Sequence, residues 1–130
     1  METIVNLAAK SNNSLTKRES RFVSHAIVEM RKFKHLPFYC HSAVLLDLSP
    51  SGFKLEFTGE TQIEPGDVYW LQIPLSSFGI YTPKSITVKC QCRWFDSSRY
   101  RVGGAFLNVS KRDLVIIESI LENLTNKSSI

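Results

Sequence analysis

Short segments in which apolar and polar residues alternate, separated by turn signals, dominate this 130-residue sequence. The clearest one covers residues 86–94, where alternate positions are apolar or small and the rest are polar. One face of that segment would carry Ile86, Val88, Cys90, Cys92 and Trp94. Turn signals every 8–12 residues are typical of a small barrel or sandwich, and the length suits a single domain. We therefore expect an all-β domain.

The same pattern predicts the individual strands and one helix. The predicted strands cover residues 22–31, 38–47, 53–58, 68–74, 86–94 and 100–107. Asp96-Ser97-Ser98 predicts a hairpin between the last two, and Gly103-Gly104 indicates a bulge or barrel corner. Trp70, Trp94 and Phe106 are interpreted as core residues.

A helix is predicted after Ser110, whose hydroxyl would cap it, with Asp113 at the third helical position. Its apolar stripe would contain Leu114, Ile117, Leu121 and Leu124, with Ile120 beside it. The predicted organisation is a flexible arm at 1–16, a domain at 17–125 and a frayed tail at 126–130.

The net charge of +4 is concentrated in one part of the sequence. Residues 17–34 contain six basic and two acidic residues, which accounts for the whole excess. This cluster indicates an anionic partner at one place, or else a solvated basic face. The sequence has no apolar run long enough to span a bilayer and no secretory signal, so we expect a cytoplasmic protein without membrane insertion.

The three cysteines indicate neither a disulfide framework nor a metal site. Cys90 and Cys92 would share a buried strand face, and zinc-ligand spacing is absent. An enzyme using Cys40, His41 or Cys90 is the least favoured reading, because no base, nucleophile and orienting group can be placed together. We expect no catalysis, metal or cofactor.

Two segments stand out as a candidate binding site. The first is Lys17-Arg18-Glu19-Ser20-Arg21, and the second is Asp47-Leu48-Ser49-Pro50-Ser51-Gly52. If strands 22–31 and 38–47 pair antiparallel, Arg21 and Asp47 lie at the same end of the sheet. The basic segment and the Asp-Ser turn would then be neighbours in space.

The second segment matches a type I turn, with Ser49 first, Pro50 second and Gly52 last. Asp47 and Ser49 could serve only as turn caps. However, a carboxylate can accept two N–H bonds from the Watson–Crick edge of guanine, and guanidinium groups can fork onto guanine O6/N7 or phosphate. Ser49 and amides near Gly52 can donate to phosphate. Together these groups suit an anionic guanine nucleotide.

These two motifs resemble the paired signature of PilZ domains, which are bacterial receptors for cyclic di-GMP. Asp47–Gly52 matches the motif Asp/Asn-x-Ser-x-x-Gly in full. The other motif, Arg-x-x-x-Arg, is matched only in part. Arg21 occupies its last position, but Lys17 occupies its first, with Arg18 next to it. The segment 100–107 and the helix after it are also similar to the family. The resemblance covers residues 16–124.

The resemblance implies a six-stranded antiparallel β-barrel with a C-terminal helix. Arg21 and either Lys17 or Arg18 would bind phosphates and guanine Hoogsteen edges, and Asp47 would read a guanine N1/N2 edge. Ser49 would contact base or phosphate, and Gly52 would permit close backbone approach. Ligand binding would order the arm and alter the behaviour of a protein effector, without catalysis.

Two alternatives stay open. Lysine cannot make the bidentate fork of arginine, so the protein could be a PilZ-like adaptor for other proteins that no longer binds nucleotide. A small barrel that binds nucleic acid is the other alternative. It is less favoured because the basic cluster lies at one edge and the aromatic residues mostly face the predicted core.

Overall fold

A computed structural model describes the backbone of residues 22–23, 26–36 and 39–128, and the side chains of 26–36 and 39–123. Seven strands lie within these residues: β1 (Phe22–Val23), β2 (Ile27–Arg31), β3 (Cys40–Leu48), β4 (Gly52–Phe57), β5 (Val68–Pro74), β6 (Ser85–Asp96) and β7 (Arg101–Phe106). A 3₁₀ helix covers Ser76–Phe78, and the helix α1 covers Lys111–Ser128.

The strands form a closed barrel in which every pair is antiparallel. The order around the barrel is β3-β2-β5-β6-β7-β4, and β4 pairs back with β3 to close it. The short β1 pairs with β3 beyond the end of β2, on the same edge of β3. The predicted six-stranded antiparallel barrel with a C-terminal helix is confirmed.

The first predicted strand, 22–31, is divided into β1 and β2. Val23 pairs with Asp47, and Ile27 pairs with Val44. The chain thus advances four residues between these pairs on one side but only three residues along β3. The prediction of one continuous strand was wrong, because the register with β3 shifts by one residue between the Val23–Asp47 and Ile27–Val44 pairs. This register shift agrees with the imperfect alternation of apolar and polar residues in 22–31.

The barrel interior is lined by the alternating apolar residues that the strand patterns predict. On β4, Phe53, Leu55 and Phe57 are at most 4% exposed. On α1, the buried residues are Ile117, Ile120 and Leu121. Leu114 is half-buried, and the side chain of Leu124 lies outside the described residues. The helix thus adds its apolar stripe to the barrel core, as the helical spacing predicts.

The ends of α1 differ in how closely they follow the prediction. The hydroxyl of Ser110 accepts a hydrogen bond from the backbone N–H of Asp113 at 3.1 Å, which confirms the predicted cap. The backbone is helical through Ser128, beyond Asn126, where the tail was expected to fray. Near this end Asn123 donates to the carbonyl of Phe78 at 3.3 Å, which ties α1 to the 3₁₀ helix.

No helix among the described residues combines the length and apolar character needed to cross a bilayer.

Two of the three aromatic residues assigned to the core lie elsewhere. Phe106 is buried, but Trp94 is 44% exposed and Trp70 is half-buried beneath the ammonium groups of Lys34 and Lys89. The pairing of β6 with β7 shifts between Cys92 and Trp94. This bulge moves Trp94 off the buried face that continues through Cys92.

Replacing Ser110 with alanine is expected to lower the free energy of unfolding by about 1 kcal/mol, because the amide of Asp113 loses its capping acceptor. Ser110→Asp, which keeps an acceptor there, should retain most of the stability. Urea denaturation of the two variants measures the difference. Equal destabilisation by both would contradict the assigned cap.

Candidate functional site

The turn between β3 and β4 is a tight two-residue hairpin. The backbone N–H of Ser49 donates to the carbonyl of Gly52 at 2.9 Å, and that of Gly52 donates back to the carbonyl of Ser49 at 3.4 Å. Neither Pro50 nor Ser51 has a positive φ, which excludes the primed and type II turns and agrees with the predicted type I geometry. Ser51 is tied to β7, since its carbonyl accepts from the amide of Phe106 at 2.8 Å.

Ser49 and Gly52 each have a structural role in this turn. Ser49 is 5% exposed, and its hydroxyl accepts from the amide of Gly52 at 3.2 Å. A Cβ on Gly52 would lie 2.4 Å from the carbonyl oxygen of Gly104 on β7. The close approach that requires glycine here is therefore one between two strands of the barrel. The turn is therefore fixed by its own hydrogen bonds and by its packing against β7.

A bulge at Leu46 determines where the Asp47 carboxylate points. Leu45 pairs with Leu55 and Asp47 with Lys54, so Leu46 is the extra residue on β3. Residues directly opposite each other in an antiparallel pair share a face of the sheet. Lys54 alternates with the buried Phe53 and Leu55, so it faces outward, and Asp47 shares that outer face. Without the bulge, Asp47 would have followed Leu45 into the core.

The chain enters the barrel beside Asp47. In β1, Val23 pairs with Asp47 and Phe22 with Leu48. The residue before Phe22 is Arg21, so the antiparallel geometry expected from the sequence is present in the described backbone. Lys17, Arg18 and Arg21 themselves lie outside the described residues.

The part of the basic cluster 17–34 that the structure describes consists of Arg31, Lys32 and Lys34. Arg31 pairs with Cys40, which lies at the opposite end of β3 from Asp47. At ~3.3 Å per residue, Cys40 and Asp47 are about 23 Å apart along the strand. Arg31 forms an ion pair with Glu29 and a hydrogen bond with Gln72 at 3.0 Å. The ammonium group of Lys34 lies 5.0 Å from the Trp70 ring centroid. Arg31 therefore lies away from the Asp47 turn, and whether the other half of the cluster forms a single cationic place lies outside the described residues.

Two of the three cysteines, Cys90 and Cys92, are poorly suited to nucleophilic chemistry. Burial raises the pKa of the Cys90 thiol to about 12 and that of Cys92 to about 11. Both thiols are therefore protonated at neutral pH, whereas the thiolate is the reactive form. Cys90 and Cys92 are also buried on one strand face, as predicted.

The sequence model of the PilZ domain matches residues 16–125. The chain belongs to the PilZ domain family. The match covers both motif regions and the barrel with most of α1. No curated protein matches the chain by sequence.

Solved PilZ structures share the fold at low sequence identity. The PilZ domain of YcgR from Escherichia coli, solved with c-di-GMP, superposes with a TM-score of 0.63 at 16% identity, covering 86% of this chain and 93% of that one. The PilZ domain of CeSA from a cellulose-synthesizing bacterium gives 0.59 at 10% identity, covering 81% and 97%. The K. pneumonia MrkH–c-di-GMP complex gives 0.65 at 17% identity, covering 87% of this chain and 54% of that one.

The PilZ barrel brings one further charged residue to the turn that the sequence analysis did not single out. Lys54 lies directly across from Asp47 on the outer face. The alternation of residues 53–58 places Lys54 outward, but its pairing with Asp47 depends on the bulge at Leu46. A cross-strand pair of opposite charges stabilises a sheet modestly, so this pair also has a purely structural explanation.

Proposed function

We propose that this PilZ domain is a receptor for cyclic di-GMP, with a site made of the arm at Lys17–Arg21 and the turn at Asp47–Gly52. Family membership supports this proposal, as does the shared fold with PilZ structures solved with c-di-GMP. The proposed ligand carries two phosphate charges and two guanines. These groups match the basic arm and the outward carboxylate of Asp47.

The single observation that carries the proposal is the pairing of β1 with β3 beside the turn. Val23 pairs with Asp47, and Arg21 is two residues before Val23 in the chain. Consecutive Cα atoms are about 3.8 Å apart, so the Arg21 Cα is tethered within about 8 Å of the Val23 Cα. An arginine side chain tethered there can reach a ligand held by Asp47.

The proposed roles follow from charge and hydrogen-bonding capacity. The carboxylate of Asp47 would accept hydrogen bonds from guanine N1 and N2. The guanidinium of Arg21 would donate to phosphate or to guanine O6/N7, assisted by Lys17 or Arg18. Gly52 would act by fixing the turn. Direct contact of Ser49 with base or phosphate stays a prediction, because Ser49 is buried in this structure.

Signalling would follow from joining the arm to the rigid turn. A nucleotide bridging the two would fix the arm against the barrel and create a surface that the unliganded protein lacks. A protein effector would recognise that surface. In this proposal the domain acts as an adaptor and carries out no reaction.

Isothermal titration calorimetry of the wild-type protein with cyclic di-GMP tests the proposal. We expect saturable binding at micromolar or lower concentration. GTP and the linear guanine dinucleotide are the controls for charge and base alone, and both should bind more weakly. A folded protein that gives no heat with cyclic di-GMP would refute the receptor function.

One observation favours a second candidate, a PilZ-like adaptor that binds no nucleotide. The hydroxyl of Ser49 and the missing side chain of Gly52 both have structural roles in the turn, so that motif could persist for folding alone. This candidate predicts capture of a protein partner that is unaffected by cyclic di-GMP and by Arg21→Ala. The receptor predicts that both change the capture.

Replacing Lys17 with arginine is expected to tighten cyclic di-GMP binding roughly tenfold to a hundredfold, because arginine adds a planar fork worth roughly 1–3 kcal/mol. Calorimetry measures the change. Lys111→Arg, an exposed position at the start of α1, is the matched control and should leave affinity unchanged. If Lys17→Arg has no effect and Arg18→Ala is severely impaired, Arg18 fills that position instead.

A further inference from the structure

The connection between β2 and β3 presents apolar side chains to solvent. Phe33 is 41% exposed, Leu36 47% and Tyr39 70%. The backbone N–H of Lys32 donates to the carbonyl of Tyr39 at 3.2 Å, which joins the two ends of this connection. The rings of Phe33 and Tyr39 meet edge to face, with their centroids 6.0 Å apart. We call the described residues of this connection, 32–36 and 39, the aromatic loop.

Tyr39 combines an unusual backbone conformation with high exposure. Its φ is 58°, in the left-handed region that a bulky side chain seldom adopts. Residues in sparsely populated conformations persist where the surrounding structure holds them, and they are concentrated at binding sites. Because the ring is mostly in solvent, it adds little to the packing of the barrel. Its position suits contact with something outside the chain.

The charges on and next to the aromatic loop are mostly positive. Residues 30–46 include Arg31, Lys32 and Lys34 and contain no acidic residue. Glu29, just before them, is ion-paired with Arg31. Lys32 and Lys34 are both exposed. The loop therefore carries apolar and cationic side chains together.

The neighbouring sheet face adds another cation. Lys89 on β6 pairs with Trp70 on β5, and its ammonium group lies 5.9 Å from the indole centroid, against 5.0 Å for that of Lys34. Neither ammonium group forms an ion pair with a described residue. Two positive charges held over one ring repel each other, and an anion near both would relieve that repulsion. This surface is thus complementary to a negatively charged partner.

The headgroup region of an anionic bilayer matches both properties of this surface. Aromatic side chains favour that region, and lysine ammonium groups are attracted to anionic headgroups while their stems lie along apolar surface. A nucleic acid would match the charges but not Leu36, because an aliphatic side chain neither stacks on a base nor contacts a phosphate.

We propose that the aromatic loop and the cations beside it form a docking surface for the headgroup region of an anionic membrane. Phe33, Leu36 and Tyr39 would enter the boundary between headgroups and acyl chains, which requires no membrane-spanning segment. The loop leads into β3 at Cys40, whereas the Asp47 turn is at the other end of that strand. The inference is therefore independent of the cyclic di-GMP proposal.

Co-sedimentation of the full chain with vesicles tests the charge requirement. Phosphatidylcholine vesicles that contain phosphatidylserine should bind the protein, whereas vesicles of phosphatidylcholine alone, or high salt, should give much weaker binding. The double variant Lys32→Gln/Lys34→Gln should bind about 25-fold more weakly, at about fivefold for each basic residue near an anionic surface. Lys111→Gln/Arg112→Gln removes two exposed charges from α1 and should bind nearly as wild type does.

The same assay tests the apolar requirement. Phe33→Ser/Leu36→Ser keeps every charge and should weaken binding to the phosphatidylserine vesicles roughly tenfold or more, because two side chains lose their apolar contact with lipid. Its matched control is Tyr81→Ser/Val115→Ser, which removes two side chains that are 72% and 60% exposed elsewhere on the surface. This control should bind the vesicles as wild type does. All four double variants change exposed side chains, and thermal unfolding checks that each is folded.

The possible outcomes each support or overturn the proposal. Failure of the folded wild-type protein to bind phosphatidylserine vesicles would overturn it, as would equal losses in the loop variants and their controls. An effect of Lys32→Gln/Lys34→Gln without any effect of Phe33→Ser/Leu36→Ser would show adsorption by charge alone and would overturn docking through the loop. Tighter binding of a polyglutamate peptide or a single-stranded oligonucleotide, lost in the same variants, would overturn the assignment to lipid.

Cyclic di-GMP calorimetry separates this proposal from the receptor function. Phe33→Ser/Leu36→Ser should bind the nucleotide as wild type does, because the loop is at the opposite end of β3 from the Asp47 turn. Vesicle binding by a protein that gives no heat with cyclic di-GMP would support the docking surface and refute the receptor. Nucleotide binding without vesicle binding would do the reverse.

Discussion

Replacing Arg21 with alanine is expected to weaken cyclic di-GMP binding by about 2–5 kcal/mol, the usual effect of truncating one partner of a hydrogen-bonded charge pair at an interface. At 1.4 kcal/mol per decade this is about 30- to several-thousand-fold. The phosphate or guanine edge facing Arg21 would lose its charged donor. Asp47→Ala should have a loss of similar size, because guanine N1–H and N2–H would lose their acceptor. Calorimetry measures both.

Two exposed residues on α1, outside the two motifs, provide matched controls for these substitutions. Arg112→Ala removes the same charge from a side chain that is 71% exposed on α1, and Glu118→Ala removes an exposed carboxylate from the same helix. Both should bind cyclic di-GMP as wild type does. If Arg21→Ala and Arg112→Ala weakened binding equally, net charge rather than a defined contact would explain the affinity, and the proposed arm site would be wrong.

Replacing Gly52 with alanine is expected to destabilise the fold by about 1–3 kcal/mol, the typical cost of overpacking. The added Cβ would lie 2.4 Å from the Gly104 carbonyl oxygen, a backbone atom that cannot move away as a flexible side chain can. β4 and β7 would have to separate where Gly52 pairs with Ala105. Thermal and urea unfolding without ligand measure the effect.

Gly59→Ala is the matched control for Gly52→Ala. Nothing lies within 4 Å of a Cβ at Gly59, and its φ is outside the left-handed region. This variant should therefore be as stable as wild type or slightly more stable, since alanine restricts the unfolded chain. Wild-type stability of Gly52→Ala would show that β4 and β7 adjust freely. It would also make Gly52 a residue whose role lies in ligand binding rather than in the barrel.

Much of the barrel could be predicted because alternation is a local property of the sequence. The apolar residues Phe53, Leu55 and Phe57 alternate with polar ones, which is enough to predict a strand buried on one face. The bounds of β5 were predicted in full as 68–74. The helix cap at Ser110 is equally local. Trp94 was misplaced because its outward orientation depends on a bulge opposite Gly103 on another strand. A period-2 pattern in one segment carries no information about such a bulge.

The candidate site shows the same division. The turn Ser49–Gly52 and its closeness to the start of the first strand could be predicted from turn preferences and antiparallel pairing. The outward placement of Asp47 depends on the bulge at Leu46, which the sequence does not mark. The distance of Arg31 and its neighbours from the turn was missed because a charge count along the chain ignores strand direction.

Hydrogen–deuterium exchange of the wild-type protein, with and without saturating cyclic di-GMP, tests most directly whether arm and turn form one site. The account predicts that the ligand slows exchange in both 17–23 and 47–52 and leaves the β2–β3 connection at 32–36 unchanged. Slower exchange confined to 32–36, or no change in either motif while the ligand binds, would contradict it.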